Sequence, residues 1–291
     1  MMNALVLGSN GQLGTEFKNS LKSKNIKFIF LNKSKLNISS YRDIFNKVKE
    51  HHISIIINCA AYTDVDNSEI KRKSAYRLNC KAIKNLVKIC KLKNIYLINF
   101  STDYVFNGYK KNYGEKSKTN PINYYGKTKK IGEQIIINKL NHYVIFRLSW
   151  LIGRYSNNFL KTIFFLIKKK KELLMVKDQI SNPTTTMLVS KIVKICCENF
   201  YKKRNVLKGI FHLSNEPAIS KLEFTKYIYY KSKKLNLINN ECKIIGISSD
   251  KFKKAAKRPK NSSFNLTKIK KKLKIKNFQW KNSIKKILIT F

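Results

Sequence analysis

The segment Asn3-Ala4-Leu5-Val6-Leu7-Gly8-Ser9-Asn10-Gly11-Gln12-Leu13-Gly14 decides the fold. A short apolar run ends at Gly8, and helical spacing takes over from Gly11 to Leu21, which predicts strand, tight turn and helix. Three of the chain's 10 glycines stand here at intervals of three. In this setting the first permits the turn, the second lets backbone approach a pyrophosphate, and the third allows close packing, while helix N–H groups receive the anion. Gly8, Gly11, Gln12, Leu13 and Gly14 are therefore candidates for holding a dinucleotide.

The same alternation continues downstream. Apolar runs predict strands over 26–31, 53–57, 95–100 and 143–148, and intervening periodicity predicts helices over 41–50, 69–90 and 125–140. Strands that are apolar without interruption are buried on both faces, as in a parallel sheet covered by helices on either side. The expected class is α/β, a Rossmann-like doubly wound parallel sheet with a smaller C-terminal substrate-binding region. Residues 1–150 form the expected dinucleotide-binding core, and 151–291 the substrate-binding region, with a stretch near 173–213 returning to the core. In that second part the pattern predicts helices over 159–171, 186–200, 221–230 and 280–288, strands over 173–176 and 209–213, and a structured loop over 253–266.

Composition narrows the function classes. With 43% hydrophobic residues, the 291-residue chain has enough apolar surface to offset the entropy of ordering its backbone. The net charge of +45 would ordinarily point to nucleic acid or an anionic membrane. Its lysines, however, are spread along the whole chain together with many Asn and Ile, so a compositional bias explains them and no specific nucleic-acid partner is expected. The six cysteines form no Cys-x-x-Cys pair, and Cys59 and Cys80 read as small buried hydrophobes. No basic leader precedes the first strand and no apolar run reaches a membrane span, so the expected place is the cytoplasm, without a membrane partner. The four histidines gather no carboxylate or nucleophile; His51 and His52 end a helix, His142 precedes a strand and His212 falls within one. No metal site is expected.

Chemistry gathers where the strands end. After the second strand, Asn32 can accept an unphosphorylated ribose, whereas Lys33 and Lys35 suit a 2'-phosphate; NADP (NADPH) is favoured and NADH is the alternative. After the third, Asn58-Cys59-Ala60-Ala61 offers small residues that let backbone lie near the cofactor. After the fourth, Thr102 is the candidate for holding a carbonyl oxygen, and Ser101 for a structural backbone partner. Tyr125 and Lys129 are i and i+4 and share a helix face. Tyr124 is instead four residues before Thr128, and Lys130 lies one residue off the face. A phenol near pKa 10 is a poor acid at neutral pH, and a cation at about 4 Å is worth roughly 4 kcal/mol at an effective dielectric near 20. Lys129 is placed to supply that charge or to bond the nicotinamide ribose.

These segments resemble the extended short-chain dehydrogenase/reductase superfamily, and within it the dTDP-4-dehydrorhamnose reductase family. The likeness covers nearly the whole chain. It rests on Gly8 to Gly14, Asn58-Cys59-Ala60-Ala61-Tyr62-Thr63-Asp64-Val65-Asp66, Ser101-Thr102-Asp103-Tyr104-Val105-Phe106, Tyr125-Gly126-Lys127-Thr128-Lys129 with Gly132-Glu133, and Arg147-Leu148-Ser149-Trp150, in that order. It implies reduction of the C4 ketone of dTDP-4-dehydro-β-L-rhamnose by NADPH or NADH. Thr102 and Tyr125 would hold and protonate the carbonyl oxygen, Lys129 would assist, Asp103 and Trp150 would line the sugar pocket, and Ala60, Ala61 and Tyr62 would face the cofactor. Asp178-Gln179, Pro183-Thr184 and Arg258-Pro259 resemble later family segments, with Arg258 a partner for the nucleotide phosphates. Asn32 and Asn37 stand where the family often has Asp. Some members form magnesium-linked homodimers through glutamates. Glu16 matches one, but Met187 occupies a matching helix position and the chain ends at Phe291, so a homodimer is compatible with the resemblance and the metal link is not carried over. The alternatives are another nucleotide-sugar reductase or epimerase of the superfamily, or an NADP-binding regulatory subunit without turnover, against which Thr102, Tyr125 and Lys129 argue.

Overall fold

A computed structural model describes residues 1–252, 255–275 and 278–291. The first half runs β1 (Met2–Leu7), α1 (Gln12–Ser20), β2 (Ile26–Leu31), α2 (Tyr41–Glu50), β3 (Ile53–Asn58), α3 (Val65–Ile70), α4 (Arg72–Tyr76), α5 (Ala82–Leu92), β4 (Tyr96–Thr102), α6 (Tyr124–Ile137) and β5 (Tyr143–Leu148). The second half continues with β6 (Leu151–Ile152), α7 (Phe159–Lys169), β7 (Glu172–Val176), β8 (Ile180–Ser181), β9 (Thr184–Thr185), α8 (Thr186–Tyr201), β10 (Gly209–His212), β11 (Ile219–Ser220), α9 (Lys221–Lys234), β12 (Lys243–Ile247), α10 (Thr267–Leu273) and α11 (Trp280–Leu288).

One six-stranded sheet in the order β10-β5-β4-β3-β1-β2 carries the fold, and all its pairings are parallel. Alternate strand residues point to opposite faces. Ala4, Val6, Ile55, Ile57, Ile98 and Phe146 pack under α1 and α8, whereas Leu5, Leu7, Ile56, Leu97 and Ile145 pack under α2, α5 and α6. This double burial is what the unbroken apolar strands encode. A third core outside the sheet gathers α7, α9 and α11 around Phe224 and Trp280.

Of the stretch from 173 to 213, α8 packs on the six-stranded sheet and β10 is its edge strand beside β5, whereas β7 pairs in parallel with β12 outside it. The expected helix over 69–90 is not one element. It breaks at Lys71 (φ −89°, ψ 47°), resumes as α4, and passes through a π-helical turn, Arg77–Lys81, before α5. The inserted residue swings Asn79 inward, where it is 2% exposed and donates to Thr128 Oγ1 at 3.0 Å. Close approach of this turn to α6 depends on Gly132, where a Cβ would sit 2.7 Å from the Asn79 carbonyl oxygen. Two residues of the predicted loop 253–266, Lys253 and Lys254, lie outside the described residues.

Candidate active site

The glycine turn is built as its spacing predicts. Gly8 has φ +73°, and a Cβ there would lie 2.8 Å from the Ala60 nitrogen, so the turn and the segment after β3 are packed backbone to backbone. At Gly14 a Cβ would meet the Gly8 carbonyl oxygen at 2.3 Å. Gly11 differs: the nearest atom to its virtual Cβ is 3.4 Å away, which leaves room above the turn for a ligand. No side chain caps the N-terminus of α1, so its first N–H groups are available to an anion. This cradle fits a dinucleotide pyrophosphate. The Leu13 side chain is core, and Gln12 Nε2 donates to the Leu151 carbonyl at 3.3 Å, tying the turn to β6.

Around it, Asn32 Oδ1 accepts from the N–H groups of Ser34 and Lys35 at 3.1 Å each, and from Ser34 Oγ at 2.7 Å. That bonding shapes the loop so that Lys33, Lys35 and Asn37 are exposed beyond β2. Asn58 Oδ1 accepts from Ala60 N at 3.2 Å, and Asn79 holds Tyr62 through both its N–H and its carbonyl, at 2.9 and 3.1 Å. Ala60, Ala61 and Tyr62 are partly exposed on this rim. Asn79 is a residue that sequence reasoning passed over, because helix periodicity does not register a π turn.

Thr102 ends β4, opposite Leu148 of β5. Its hydroxyl donates to Asp103 Oδ1 at 3.1 Å and accepts from Tyr104 N at 3.2 Å. Tyr125 lies in the first turn of α6, whose start is fixed by Asn123 Oδ1 accepting from Gly126 N at 2.8 Å. Gly126 lets α6 approach: a Cβ there would be 2.2 Å from the Tyr104 carbonyl oxygen. The Tyr125 phenol lies close enough to the Thr102 hydroxyl for that hydroxyl to favour its ionised form. The phenol's pKa is pushed up to about 12, first by burial and then by the Asp103 charge, with the Thr102 hydroxyl working against them. This direction is opposite to the one expected from a Tyr-Lys pair. The physical reason is that Lys129 has its ammonium on the Phe100 carbonyl at 2.8 Å. Burial draws Lys129 down to about 8, opposed by the Glu133 charge. Ser101, expected to bond backbone, instead has a buried hydroxyl with no partner among the described residues.

Behind Lys129, Glu133 grips Arg147 of β5 through two bonds, Nε to Oε1 at 2.9 Å and Nη2 to Oε2 at 2.7 Å, with both side chains 3% exposed. His212 lies 3.4 Å from Arg147 Nη1 and stacks on Phe264; burial and the Arg147 charge push it down to about 3, so it stays neutral. Asp103 is 2% exposed, and its second oxygen accepts from Ser262 Oγ at 2.5 Å and Ser181 Oγ at 3.2 Å. Burial raises its carboxyl to about 6 against the pull of these bonds.

Trp150 follows β5 with φ +36°, a left-handed backbone that costs a bulky residue about 1–3 kcal/mol. Its ring lies between Phe159 and Phe224, at 6.0 and 6.4 Å, with the Lys221 ammonium 5.9 Å above it. Phe159 and Lys221 also line a cleft of about 880 Å3, together with Gln179, Lys257, Arg258 and Lys260. Arg258 is engaged: its fork meets both Asp66 carboxylate oxygens at 2.8 and 2.6 Å. Glu16 is 1% exposed, accepts from Thr186 Oγ1 at 2.7 Å, and faces Arg154 at 3.7 Å. Among the described residues no group of three His, Cys, Asp or Glu could hold a metal ion, and no helix is long and apolar enough to cross a membrane.

The chain matches known proteins over nearly its whole length. Residues 2–291 match the family described as RmlD substrate binding domain. The dTDP-4-dehydrorhamnose reductase of Aggregatibacter actinomycetemcomitans is 32% identical over 289 residues, 99% of this chain and 98% of that one. Two solved structures superimpose with a TM-score of 0.90 at 32% identity: dTDP-4-dehydrorhamnose reductase from Bacillus anthracis in complex with NADP, covering 100% of both chains, and that from Clostridium acetobutylicum, covering 99% of both.

Proposed function

This chain belongs to the dTDP-4-dehydrorhamnose reductase family, and from that premise we propose that it reduces the C4 ketone of dTDP-4-dehydro-β-L-rhamnose to the alcohol of dTDP-β-L-rhamnose. The observation that carries the reading is the meeting of Thr102 and Tyr125 at the carboxyl edge of a parallel sheet that also presents the glycine cradle. The fold is an NAD(P)-binding one. When bound, the reduced dinucleotide supplies the hydride.

The chain's own residues supply the rest. Thr102 borders the carbonyl oxygen and orients the Tyr125 hydroxyl, and Tyr125, kept protonated by its burial, delivers the proton to that oxygen. Lys129 orients the cofactor ribose from its anchor on Phe100. Asp103 and Trp150 border the sugar. The adjoining cleft is of a size suited to a small molecule, and its Lys257, Arg258 and Lys260 would meet the diphosphate, Arg258 through N–H groups left outside the Asp66 pair. The assay is direct: with dTDP-4-dehydrorhamnose and NADPH, reduced-cofactor absorbance should fall with turnover. Its persistence with fully folded protein would sink the proposal.

NADPH is the preferred reductant in this reading, because Lys33 and Lys35 are exposed on the loop that Asn32 shapes, while Asn32 presents no carboxylate to repel a 2'-phosphate. Replacing both lysines by Ala should raise KM for NADPH about tenfold, equivalent to about 1.4 kcal/mol, and leave that for NADH unchanged. Equal changes for the two cofactors would contradict the preference.

A further inference from the structure

Asp103 is a buried carboxylate that forms no ion pair among the described residues. Hydroxyl groups hold it instead, from three distant parts of the chain. Thr102 Oγ1 donates to Oδ1 at 3.1 Å, and Ser262 and Ser181 donate to Oδ2 at 2.5 and 3.2 Å. The two serines are themselves 2% and 1% exposed and lie 3.0 Å apart, hydroxyl to hydroxyl. Backbone fixes them: Ser262 N donates to the Ile180 carbonyl at 3.0 Å, and Ser181 pairs with Ile219 across β8 and β11.

A threonine hydroxyl has one proton and two lone pairs. At Thr102 one lone pair takes the Tyr104 N–H, and the proton has two competing destinations, Asp103 and Tyr125. An anionic acceptor wins over a neutral phenol, because charge-assisted hydrogen bonds are about twice as strong. We propose that Ser181 and Ser262 are positioning residues for the reduction: by clamping Oδ2 of Asp103, they draw the Thr102 proton onto Oδ1, so that a lone pair of Thr102 faces Tyr125 until the proton transfer occurs.

This inference rests on the ketone-reductase reading above. During the step, hydride adds to the carbonyl carbon, the Tyr125 O–H bond breaks and a new O–H bond forms on the former carbonyl oxygen. The phenolate left behind then receives a hydrogen bond from Thr102, whose proton turns away from Asp103 without any covalent bond of Thr102 breaking. Asp103 stays ionised meanwhile on its two serine bonds.

The titratable groups that feel the Asp103 charge are Tyr104 and Tyr125, and behind Tyr104 stands the Arg258–Asp66 pair; β8 and the segment around 262 contribute the serine hydroxyls. The proposal requires ionised Asp103, so kcat should fall as pH drops through about 6. Hydrogen bonds to a carboxylate lower its pKa, and removing them raises it. The Ser181→Ala/Ser262→Ala double variant should therefore show kcat reduced about tenfold at pH 7, KM for the nucleotide sugar within about twofold, and the acid limb of the kcat profile moved up by about one pH unit. If that variant does not fold, the single variants carry the test, and Ser262→Ala, which removes the shorter bond, should move the limb further than Ser181→Ala. An unmoved acid limb, or a raised KM at unchanged kcat, overturns the clamp while wild-type turnover still upholds the reductase reading. Absence of wild-type turnover overturns that reading itself.

Discussion

Tyr125→Phe is expected to lower kcat for ketone reduction by about 10^3-fold, within the usual range for losing a positioned general acid. The variant keeps the ring that meets Tyr104 edge to face at 6.1 Å and loses only the hydroxyl close to that of Thr102. Dinucleotide affinity should consequently stay within about twofold, since the glycine cradle and the Asn32 loop are untouched. The wild-type phenol, pushed up to about 12, stays protonated throughout the working range. An alkaline loss of activity belongs instead to Lys129, drawn down to about 8. Steady-state kinetics with NADPH, together with dinucleotide titration by fluorescence, measures both halves. A kcat within tenfold of wild type would remove Tyr125 from the role of proton donor.

Glu133→Ala should be the most damaging single change to stability, at about 3–5 kcal/mol, because it leaves the Arg147 guanidinium buried and unpaired. Both bonds of that fork are lost at once, in a region where each partner is 3% exposed. The neighbouring His212 cannot compensate, as it is neutral and itself held down by the Arg147 charge. A second consequence concerns chemistry. Glu133 is the charge that opposes the burial of Lys129, one helical turn away, so its removal lets the lysine pKa fall further below about 8. The alkaline limb of activity should then move to lower pH in whatever fraction remains folded. Urea denaturation checks the first effect, and a loss under about 1 kcal/mol would show that the pair contributes little net stability.

The parallel sheet was legible because burial on both faces writes itself as unbroken apolar runs: strands β1 to β5 all lie where such runs predict them. The glycine turn was legible because Gly8 and Gly14 answer to backbone contacts that no other residue tolerates. What escaped the sequence shares a different physical origin. The break at Lys71 and the π turn shift the helical phase by steps that periodicity absorbs, and strand β12 hides a half-exposed Lys-Ile-Ile-Gly-Ile run in a basic neighbourhood. Ser181 and Ser262 are 81 residues apart, and nothing local distinguishes either from a surface serine. Their meaning exists only in the carboxylate they share. The pull of Lys129 on Tyr125 was likewise inferred from spacing, which fixes the shared helix face but not the Phe100 carbonyl that claims the ammonium.

The way the chain re-enters the large sheet has a practical corollary for anyone dissecting the protein. A polypeptide cut at residue 150 would contain five of the six parallel strands, but β5 would lose its neighbour β10 and α1 its partner α8. Such a piece would present an open strand edge and a stripped apolar layer, the two ingredients of self-association. The halves are thus stitched rather than linked, and a split-protein or domain-exchange experiment should carry residues 186–212 along with the first 150 to yield soluble material.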